Sequence, residues 1–179
     1  MRLHFTGESL MAVLEILTYP APALRRKCLP VERVTERTRE LARAMLDTMH
    51  DAPGVGLAAP QVGENIRLIV VDVSVGKDPK QVHFLVNPEI ESAEGERIVE
   101  EGCLSLPGVT ENIRRRETVR VRALNLEGEE VILDAREVLA FVLQHEIDHL
   151  DGKLILDRLN KTKRDLVKRR LKKQARAAS

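Results

Sequence analysis

Aromatic side chains are scarce in this sequence of 179 residues, which contains three Phe, one Tyr and no Trp. Proteins that bind single-stranded nucleic acid without sequence preference stack the bases on aromatic rings, so we do not expect binding of that kind. Apolar residues make up 43% of the chain, which is sufficient for a folded domain with a mostly aliphatic core. No run of 18 apolar residues occurs, so the sequence predicts no membrane-spanning helix.

Cysteine is also rare, with single residues at Cys28 and Cys103. A small secreted fold that depended on disulfides would contain more of them. The N-terminal segment lacks a signal peptide, since glutamates interrupt its apolar stretches and no small-residue cleavage site follows them. We therefore expect a cytoplasmic protein with free thiols and no membrane partner. Met11 is an alternative start of the chain, so residues 1–10 are interpreted as an N-terminal extension.

Apolar residues recur at helical spacing in some segments and alternate with polar residues in others, and this combination predicts an α+β fold. We expect short, mostly antiparallel strands in small sheets, packed around one central helix. Residues 35–50 are predicted to form a helix with Thr35 as its N-cap, and residues 66–73 a buried strand. Further extended segments are predicted at 82–90 and 96–106.

The central helix is predicted to follow a hairpin formed by residues 117–125 and 129–134. Asp134 is expected to cap this helix, with Glu137 completing a capping box three residues later. Gly152 is expected to end it.

One face of this helix is apolar except for two histidines, and we expect that face to be buried. It carries the following residues at helical spacing: Val138, Phe141, Val142, His145 and His149. The histidines begin and end an H-E-x-x-H motif, so that two imidazoles lie one turn apart with Glu146 between them. Two neutral histidines buried without a partner would be costly, which favours a metal site over a polar stripe on a surface helix.

A catalytic metal site needs a third protein ligand and an open coordination position. No histidine follows the motif, and the downstream carboxylates lie on no clear second helix: Asp151, Asp157 and Asp165. Upstream, Cys103 follows Gly102, a residue that lets another part of the backbone approach closely. A thiolate is a good ligand for Zn²⁺ or Fe²⁺, although a lone cysteine is more often a small buried apolar residue.

Three motifs occur in order along the chain: Gly54-Val55-Gly56-Leu57-Ala58-Ala59-Pro60-Gln61, Glu101-Gly102-Cys103-Leu104-Ser105 and Gln144-His145-Glu146-Ile147-Asp148-His149-Leu150. With these motifs the sequence resembles the peptide deformylases, metallohydrolases that remove the formyl group from the N-terminal formyl-methionine of new polypeptides. The family pattern reads GxGLAAxQ, EGCLS and QHExDHL, and all three parts are complete here. The resemblance extends over residues 11–160, which we interpret as the catalytic domain.

The resemblance implies one divalent metal ion, with water at the fourth position and these protein ligands: Cys103, His145 and His149. Glu146 is then expected to take a proton from the water and to pass it to the leaving amine. The backbone N–H of Leu104 and the side-chain amide of Gln61 are implied as donors to the developing oxyanion. Fe²⁺ is the metal expected in the cell, and Zn²⁺, Ni²⁺ or Co²⁺ can replace it in isolated protein.

The resemblance also implies how N-formylmethionyl nascent peptides are bound. The family binds its peptide as an added strand, so Gly56 and Gly102 are interpreted as backbone contacts. An apolar pocket for the methionine side chain is expected from four residues: Val55, Phe141, Val142 and His145. Family members often carry Pro-Arg where residues 113–116 read Ile-Arg-Arg-Arg, so which arginine receives the peptide chain stays open. Asp148 is interpreted either as the partner of a ligand or as an exposed helix charge.

The formal net charge of +1 is the balance of two unlike parts. Residues 158–179 carry ten Lys and Arg against one acid, a charge of +9, so residues 1–157 carry −8. Apolar residues at helical spacing predict a basic C-terminal helix over residues 161–179. This helix is either a solvated surface or docks on the ribosome through RNA phosphates. We expect no DNA partner.

Two other hypotheses remain open at this level. An endopeptidase that uses the same H-E-x-x-H motif on internal peptide bonds would not need Cys103. A basic RNA- or ribosome-binding protein with a structural metal would need a closed site of four protein ligands, and no fourth ligand is evident.

Overall fold

The computed structural model describes residues 2–6 and 9–177. The α-helices are α1 (Glu36–Asp51), α2 (Glu137–Leu150) and α3 (Lys161–Ala177). The strands are β1 (Arg2–Thr6), β2 (Ser9–Val13), β3 (Gly56–Ala58), β4 (Leu68–Asp72), β5 (Val82–Glu94), β6 (Arg97–Gly102), β7 (Thr110–Arg115), β8 (Thr118–Leu124) and β9 (Glu130–Arg136). Within these ranges no helix is long and apolar enough to cross a membrane.

The strands form three antiparallel sheets. The largest has the order β3-β4-β5-β8-β9, while β1 pairs with β2 and β6 pairs with β7. The predicted α+β fold, with short antiparallel strands in small sheets, is confirmed. Both β3 and β6 are terminal strands, so among the described strands each of them has one unpaired edge.

The five-stranded sheet lies between α1 on one face and α2 on the other. All five residues of β4 are buried, and successive side chains of a strand point to opposite faces. The cluster on the α1 side includes Leu68, Val70, Met45 and Met49. The cluster on the α2 side includes Ile69, Val71, Ala140, Leu143 and Leu150. Burial of these aliphatic side chains fixes α2, and with it the H-E-x-x-H motif, against the sheet.

Two predicted local features are confirmed. Thr35 caps α1, since its hydroxyl accepts a hydrogen bond from the Thr38 N–H at 3.4 Å. The predicted hairpin is the antiparallel pair β8 and β9. In both cases the residues that decide the conformation lie close together in the chain, so the sequence pattern was sufficient.

The prediction that Asp134 caps the central helix is wrong. Asp134 lies in β9 and accepts two hydrogen bonds from the Arg120 guanidinium, at 2.7 and 2.9 Å. The strand continues through the buried Ala135, and the helix begins only at Glu137. Glu137 adopts a φ of 51°, which turns the chain from the strand directly into α2 without a side-chain cap.

The strand predicted over 82–90 is longer than expected. It continues to Glu94, and Pro88 lies inside it at a shift of register against β8. Proline lacks the N–H that a regular ladder requires, and a bulge accommodates it. The segment predicted as extended over 96–106 is a strand only as far as Gly102, where a turn begins.

The histidine-bearing face of α2 was predicted to be buried, and this is wrong for its first turn. Val138 is 56% exposed, and Phe141 and Val142 are half-buried, because this face borders an open cavity instead of the core. The buried side of the helix carries Ala140, Leu143, Ile147 and Leu150.

The basic helix predicted over 161–179 is observed as α3 over Lys161–Ala177, and the last two positions of the prediction lie outside the described residues. Val167 and Leu171 are buried in one cluster with residues that follow β6: Leu106, Val109 and Ile113. The Arg170 guanidinium donates a hydrogen bond to the Gly108 carbonyl at 2.9 Å. Helix α3 is therefore packed onto the segment that leaves β6.

Residues 1–10 were predicted to be an extension outside the catalytic domain. In the structure, Arg2–Thr6 pairs with Ser9–Val13, so residue 10 lies inside the hairpin of β1 and β2. Residues 1, 7 and 8 lie outside the described ranges, as do residues 178 and 179. The domain boundary at residue 10 stays a prediction.

Candidate active site

Three potential metal ligands converge at one point: Cys103, His145 and His149. Helix α2 places its two imidazoles one turn apart, with 3.2 Å between the Nε2 atoms. Cys103 follows β6, and its Sγ lies 3.3 Å from His149 Nε2. The downstream alternatives Asp151 and Asp157 pair instead with arginine side chains. The histidine pair and the upstream cysteine are thus the residues that the fold brings together.

This donor set fits one divalent cation. A tetrahedral site with Zn–N bonds of about 2.05 Å and a Zn–S bond of about 2.3 Å places two nitrogens about 3.3 Å apart. The same geometry places sulfur and nitrogen about 3.6 Å apart. The distances of 3.2 Å between nitrogens and 3.3 Å between sulfur and nitrogen are close to these values. One thiolate and two imidazoles suit Zn²⁺, Fe²⁺, Ni²⁺ or Co²⁺, and three protein ligands leave a position open.

Hydrogen bonds and burial prepare both imidazoles for coordination. Burial opposes ionisation of Glu101, but hydrogen bonds from Arg115 and His145 hold its pKa below the usual value. Glu101 is therefore an acceptor, and His145 Nδ1 donates to its Oε2 at 3.0 Å, so that Nε2 is the ring nitrogen directed at the other two donors. Burial holds the pKa of His149 well below its ordinary value, which favours the neutral imidazole that binds a metal.

Glu146 lies beside the ligands as a buried carboxyl group. It is 4% exposed, and no partner for its Oε2 is found among the described residues. Burial raises the pKa of Glu146 to about 7. Gly56 faces it across the site, where a Cβ would lie 2.4 Å from Glu146 Oε1 and 2.8 Å from Val142 Cγ1. The absence of a side chain at Gly56 therefore makes the room that Glu146 occupies.

Gln61 is buried and held in one orientation. Its Oε1 accepts a hydrogen bond from the Ala58 N–H at 2.8 Å, and its Nε2 donates to Ser105 Oγ at 3.2 Å. The same Nε2 lies 3.8 Å from Cys103 Sγ, so the amide group is directed toward the ligand cluster. Leu104 follows Cys103 at the beginning of a turn, and within the described ranges no acceptor is found for its N–H.

An open cavity of about 960 Å³ borders this cluster. The sequence-predicted residues that line it are Val55, Gly56, Gln61, Gly102, Cys103, Leu104, Phe141, Val142, His145 and Glu146. His149 lies behind them and is buried. The terminal strands β3 and β6 both contribute to the wall, so two strand edges without a described partner strand border the same space. The fold thus brings every predicted site residue to one location.

Comparison with known proteins agrees with this site. The family model of polypeptide deformylase matches residues 13–165. The peptide deformylase of Acidobacterium capsulatum is 47% identical over 167 residues, covering 93% of this chain and 98% of the relative. The chain belongs to the polypeptide deformylase family.

Solved structures of deformylases have the same fold. The peptide deformylase from Legionella pneumophila superposes with a TM-score of 0.87 at 45% identity, covering 93% of this chain and 98% of that structure. The Ehrlichia chaffeensis peptide deformylase in complex with actinonin gives a TM-score of 0.85 at 37% identity, covering 92% of this chain and 98% of that structure.

The arginines of residues 113–116 differ in their surroundings in this deformylase. Which of them receives the peptide chain was left open, and the side chain of Arg115 has no exposed surface. Its guanidinium binds both oxygens of Glu101, at 2.7 and 2.9 Å, and Asp148 Oδ2 at 2.6 Å. Asp148 is likewise buried and paired, which excludes its interpretation as an exposed helix charge. Arg115 therefore holds two motifs together and does not face the cavity.

Sequence reasoning missed the partners of two motif residues. Gln144 accepts a hydrogen bond from the Arg116 N–H and donates to the Arg116 carbonyl, both at 2.9 Å, which ties α2 to the end of β7. Ser105 orients the Gln61 amide. The sequence contained one signal for them. Gln144 and Ser105 are polar residues inside the deformylase motifs, and neither is needed as a ligand or as the base.

We predict that Gly56→Ala lowers kcat for formate release from a formylated peptide by about 10- to 100-fold, because the new Cβ displaces Glu146. Metal content is expected to stay at the wild-type level, since the ligands are not touched. Gly102→Ala is the comparison variant. Its Cβ would lie no closer than 3.7 Å to the Val109 carbonyl oxygen, so we expect this variant to change KM instead of kcat. An unchanged kcat for Gly56→Ala would contradict the role given to this contact.

Proposed function

We propose that the chain is a metal-dependent hydrolase that removes the N-terminal formyl group from the formyl-methionine of newly synthesised polypeptides, releasing formate. The observation that carries the proposal is the buried carboxyl of Glu146, whose Oε2 has no partner among the described residues, beside three potential metal donors at the wall of an open cavity. Membership of the polypeptide deformylase family supports the same reaction. We place the activity in the cytoplasm, where the thiol of Cys103 stays reduced.

The proposed ligands are Cys103, His145 and His149. A divalent cation bound there lowers the pKa of a coordinated water to about 7 and polarises a carbonyl oxygen. The protein's part is to hold the donors in position, and the Glu101 carboxylate does this for His145 by accepting a hydrogen bond from its Nδ1–H.

Glu146 is the proposed general base and acid. Its carboxylate accepts a proton from the water that attacks the formyl carbon, and the protonated group then donates to the methionine nitrogen as the C–N bond breaks. The products are formate and a free N-terminal amine. Burial supports this role because it raises the pKa of Glu146 to about 7, where the group can both accept and release a proton near neutral pH.

Two donors are proposed to stabilise the oxyanion that forms on the formyl oxygen. One is the Gln61 side-chain amide, which the Ala58 N–H and Ser105 hold toward the ligand cluster. The other is the backbone N–H of Leu104, which borders the cavity next to the cysteine ligand. A donor of this kind typically contributes about 3–4 kcal/mol to transition-state stabilisation.

The cavity supports a binding mode for the peptide. We propose that Val55, Phe141 and Val142 enclose the methionine side chain, since all three line the cavity with half-buried apolar surface. The peptide backbone is proposed to pair with the free edges near Gly56 and Gly102. Main-chain pairing requires no particular side chain, which suits an enzyme that acts on many different polypeptides.

The two rival hypotheses make different demands on the site. An endopeptidase would cut internal peptide bonds without needing Cys103, whereas Cys103 lies 3.3 Å from His149 Nε2. A structural metal would need a fourth protein ligand, and within the described residues the potential metal group contains three. Both observations favour a deformylase with an open coordination position.

We predict that Glu146→Gln lowers kcat for formate release from formyl-Met-Ala-Ser by at least about 100-fold while the protein keeps its metal. Cys103→Ser is expected to lose metal, because an alcohol is a far poorer ligand than a thiolate. Cys28→Ala is the matched control, since Cys28 is buried away from the cavity and should leave metal and turnover unchanged. Release of formate by Glu146→Gln at the wild-type rate would refute the proposed base.

We propose Fe²⁺ as the metal used in the cell. Enzyme purified without oxygen is predicted to contain iron and to turn over faster than the zinc form of the same protein. Exposure to air should then lower its activity, and reloading with Ni²⁺ should restore it, because Ni²⁺ is not oxidised by air and the same donors bind it. Metal analysis and formate release are measured on the same samples. Full activity of the zinc form under both conditions would contradict this assignment.

The basic surface of α3 is proposed to dock on the ribosome. Removing the helix would be a poor test, since Val167 and Leu171 are buried in the core beside Leu106. Substitution of three exposed cations on α3 is a more specific test: Arg169, Lys172 and Lys173. Their side chains lie on the surface, so their charge can be removed without opening the core.

We predict that changing Arg169, Lys172 and Lys173 together to Gln weakens co-sedimentation with ribosomes at least about tenfold, because phosphate contacts are lost. Activity on formyl-Met-Ala-Ser should be retained. A control removes the same charge from exposed positions outside α3, with Gln at Arg33, Lys77 and Lys80. Equal ribosome binding by the two triple variants would show that α3 is not the docking surface.

A further inference from the structure

Side-chain hydrogen bonds run without interruption from a metal donor to the protein surface. His145 donates to Glu101 at 3.0 Å, and Arg115 donates to both oxygens of Glu101 and to Asp148 Oδ2. Arg158 completes the series, with its Nε and one terminal nitrogen donating to the two oxygens of Asp148 at 2.7 and 2.8 Å. The Arg158 side chain is 39% exposed, whereas that of Arg115 is fully buried.

These side chains join segments that are far apart in the sequence. Glu101 lies in β6, two residues before the cysteine ligand, and Arg115 ends β7. Asp148 lies in α2 between the two histidine ligands, and Arg158 ends the short 3₁₀ helix Ile155–Arg158. A rotation of α2 about its axis would move both imidazoles relative to the cysteine, and it would also pull Asp148 away from its two arginines.

We propose that Arg158 is a positioning residue for the metal centre. Through Asp148 and Arg115 it fixes the rotation of α2 against the segment that carries Cys103, and so sets the relative positions of the three donors. The inference rests on the proposed function in one respect, namely that the donors bind a metal ion.

The charges explain why Arg115 alone is not sufficient to hold both Glu101 and Asp148 in place. Two carboxylates, Glu101 and Asp148, are balanced by the guanidinium groups of the buried Arg115 and the partly exposed Arg158, so the formal charges of these four side chains cancel. Without Arg158, Arg115 would be the one arginine of the described residues that still binds the two carboxylates, and an unpaired buried charge is costly. Arg115 would then shift toward Asp148 and loosen its paired hydrogen bonds to Glu101, which would release the His145 ring from its fixed orientation.

The exposure of Arg158 makes the proposal testable without unfolding the protein. Replacing Arg115 would remove a fully buried guanidinium and leave Glu101 without its arginine, whereas Arg158→Met removes a group that already reaches solvent. Arg158→Lys keeps the charge but loses the second hydrogen bond, because an ammonium group cannot bind both carboxylate oxygens as a planar guanidinium does. Arg120→Met is the matched control, since Arg120 binds both oxygens of Asp134 in the same manner on the exposed surface of the β8–β9 hairpin.

The experiment loads each protein with Co²⁺ and records the visible absorption spectrum, which reports ligand geometry, and the rate of metal release to an excess of chelator. We expect Arg158→Met to change the spectrum and to release Co²⁺ about three to ten times faster than wild type, below the tenfold to hundredfold effect of direct partners of ligands. Arg158→Lys should be intermediate, and Arg120→Met should match wild type. For formyl-Met-Ala-Ser we expect Arg158→Met to lower kcat and leave KM unchanged, because Arg158 does not line the cavity.

The outcomes separate this inference from the proposed function. If Arg158→Met and Arg120→Met both keep the wild-type spectrum and release rate, Arg158 has no positioning role. A lower unfolding temperature of metal-free Arg158→Met with an unchanged Co²⁺ spectrum would assign Arg158 to stability alone and overturn the proposal. A wild-type protein that binds Co²⁺ but releases no formate would instead refute the proposed function and leave the positioning role standing.

Discussion

Two buried carboxylates, Glu101 and Asp148, share the guanidinium of Arg115, and the geometry of the site depends on that shared contact. The metal donors come from two segments of the chain that are more than forty residues apart, one after β6 and one on α2. Taking these charges out of water is costly, so the group is stable only when each charge meets an opposite one at hydrogen-bond distance. The same requirement that pairs the charges therefore holds the ligands in register. The apolar packing of α2 fixes the helix against the sheet, and the ion pairs determine which way its polar face points.

Much of the fold could be predicted because short stretches of sequence decide it. The burial of β4 follows from a run of β-branched and aliphatic residues, and Thr35 is a cap because its own hydroxyl reaches the first turn of α1. The pairing of His145 with His149 could be predicted for the same reason, since a spacing of four residues on a helix sets the distance between them. Cys103 was harder to assign, and only its place within a known motif distinguished it from an ordinary buried thiol.

What could not be predicted depends on partners that are distant in the chain. Asp134 has the right residue type and spacing for a helix cap, but its carboxylate binds an arginine on the neighbouring strand. Val138 fits an apolar helix face, yet nothing in the helix itself indicates that this face would border a cavity. Arg115 is a further example. A run of three arginines suggests an exposed basic surface, and the burial of Arg115 is explained only by its pairing with the carboxylates of Glu101 and Asp148.

The basic helix α3 shares one apolar cluster with the segment that follows Cys103, one of the three potential metal ligands. Val167 and Leu171 pack with Leu106 and Val109, and these last two also line the cavity. The cationic surface and the catalytic opening are consequently parts of one solid body, with no linker between them. A polyanionic surface that held the outer side of α3 would thereby set the direction in which the cavity opens. The path that a peptide end must travel to reach the metal donors would then be a fixed distance, determined by the packing of a few aliphatic side chains.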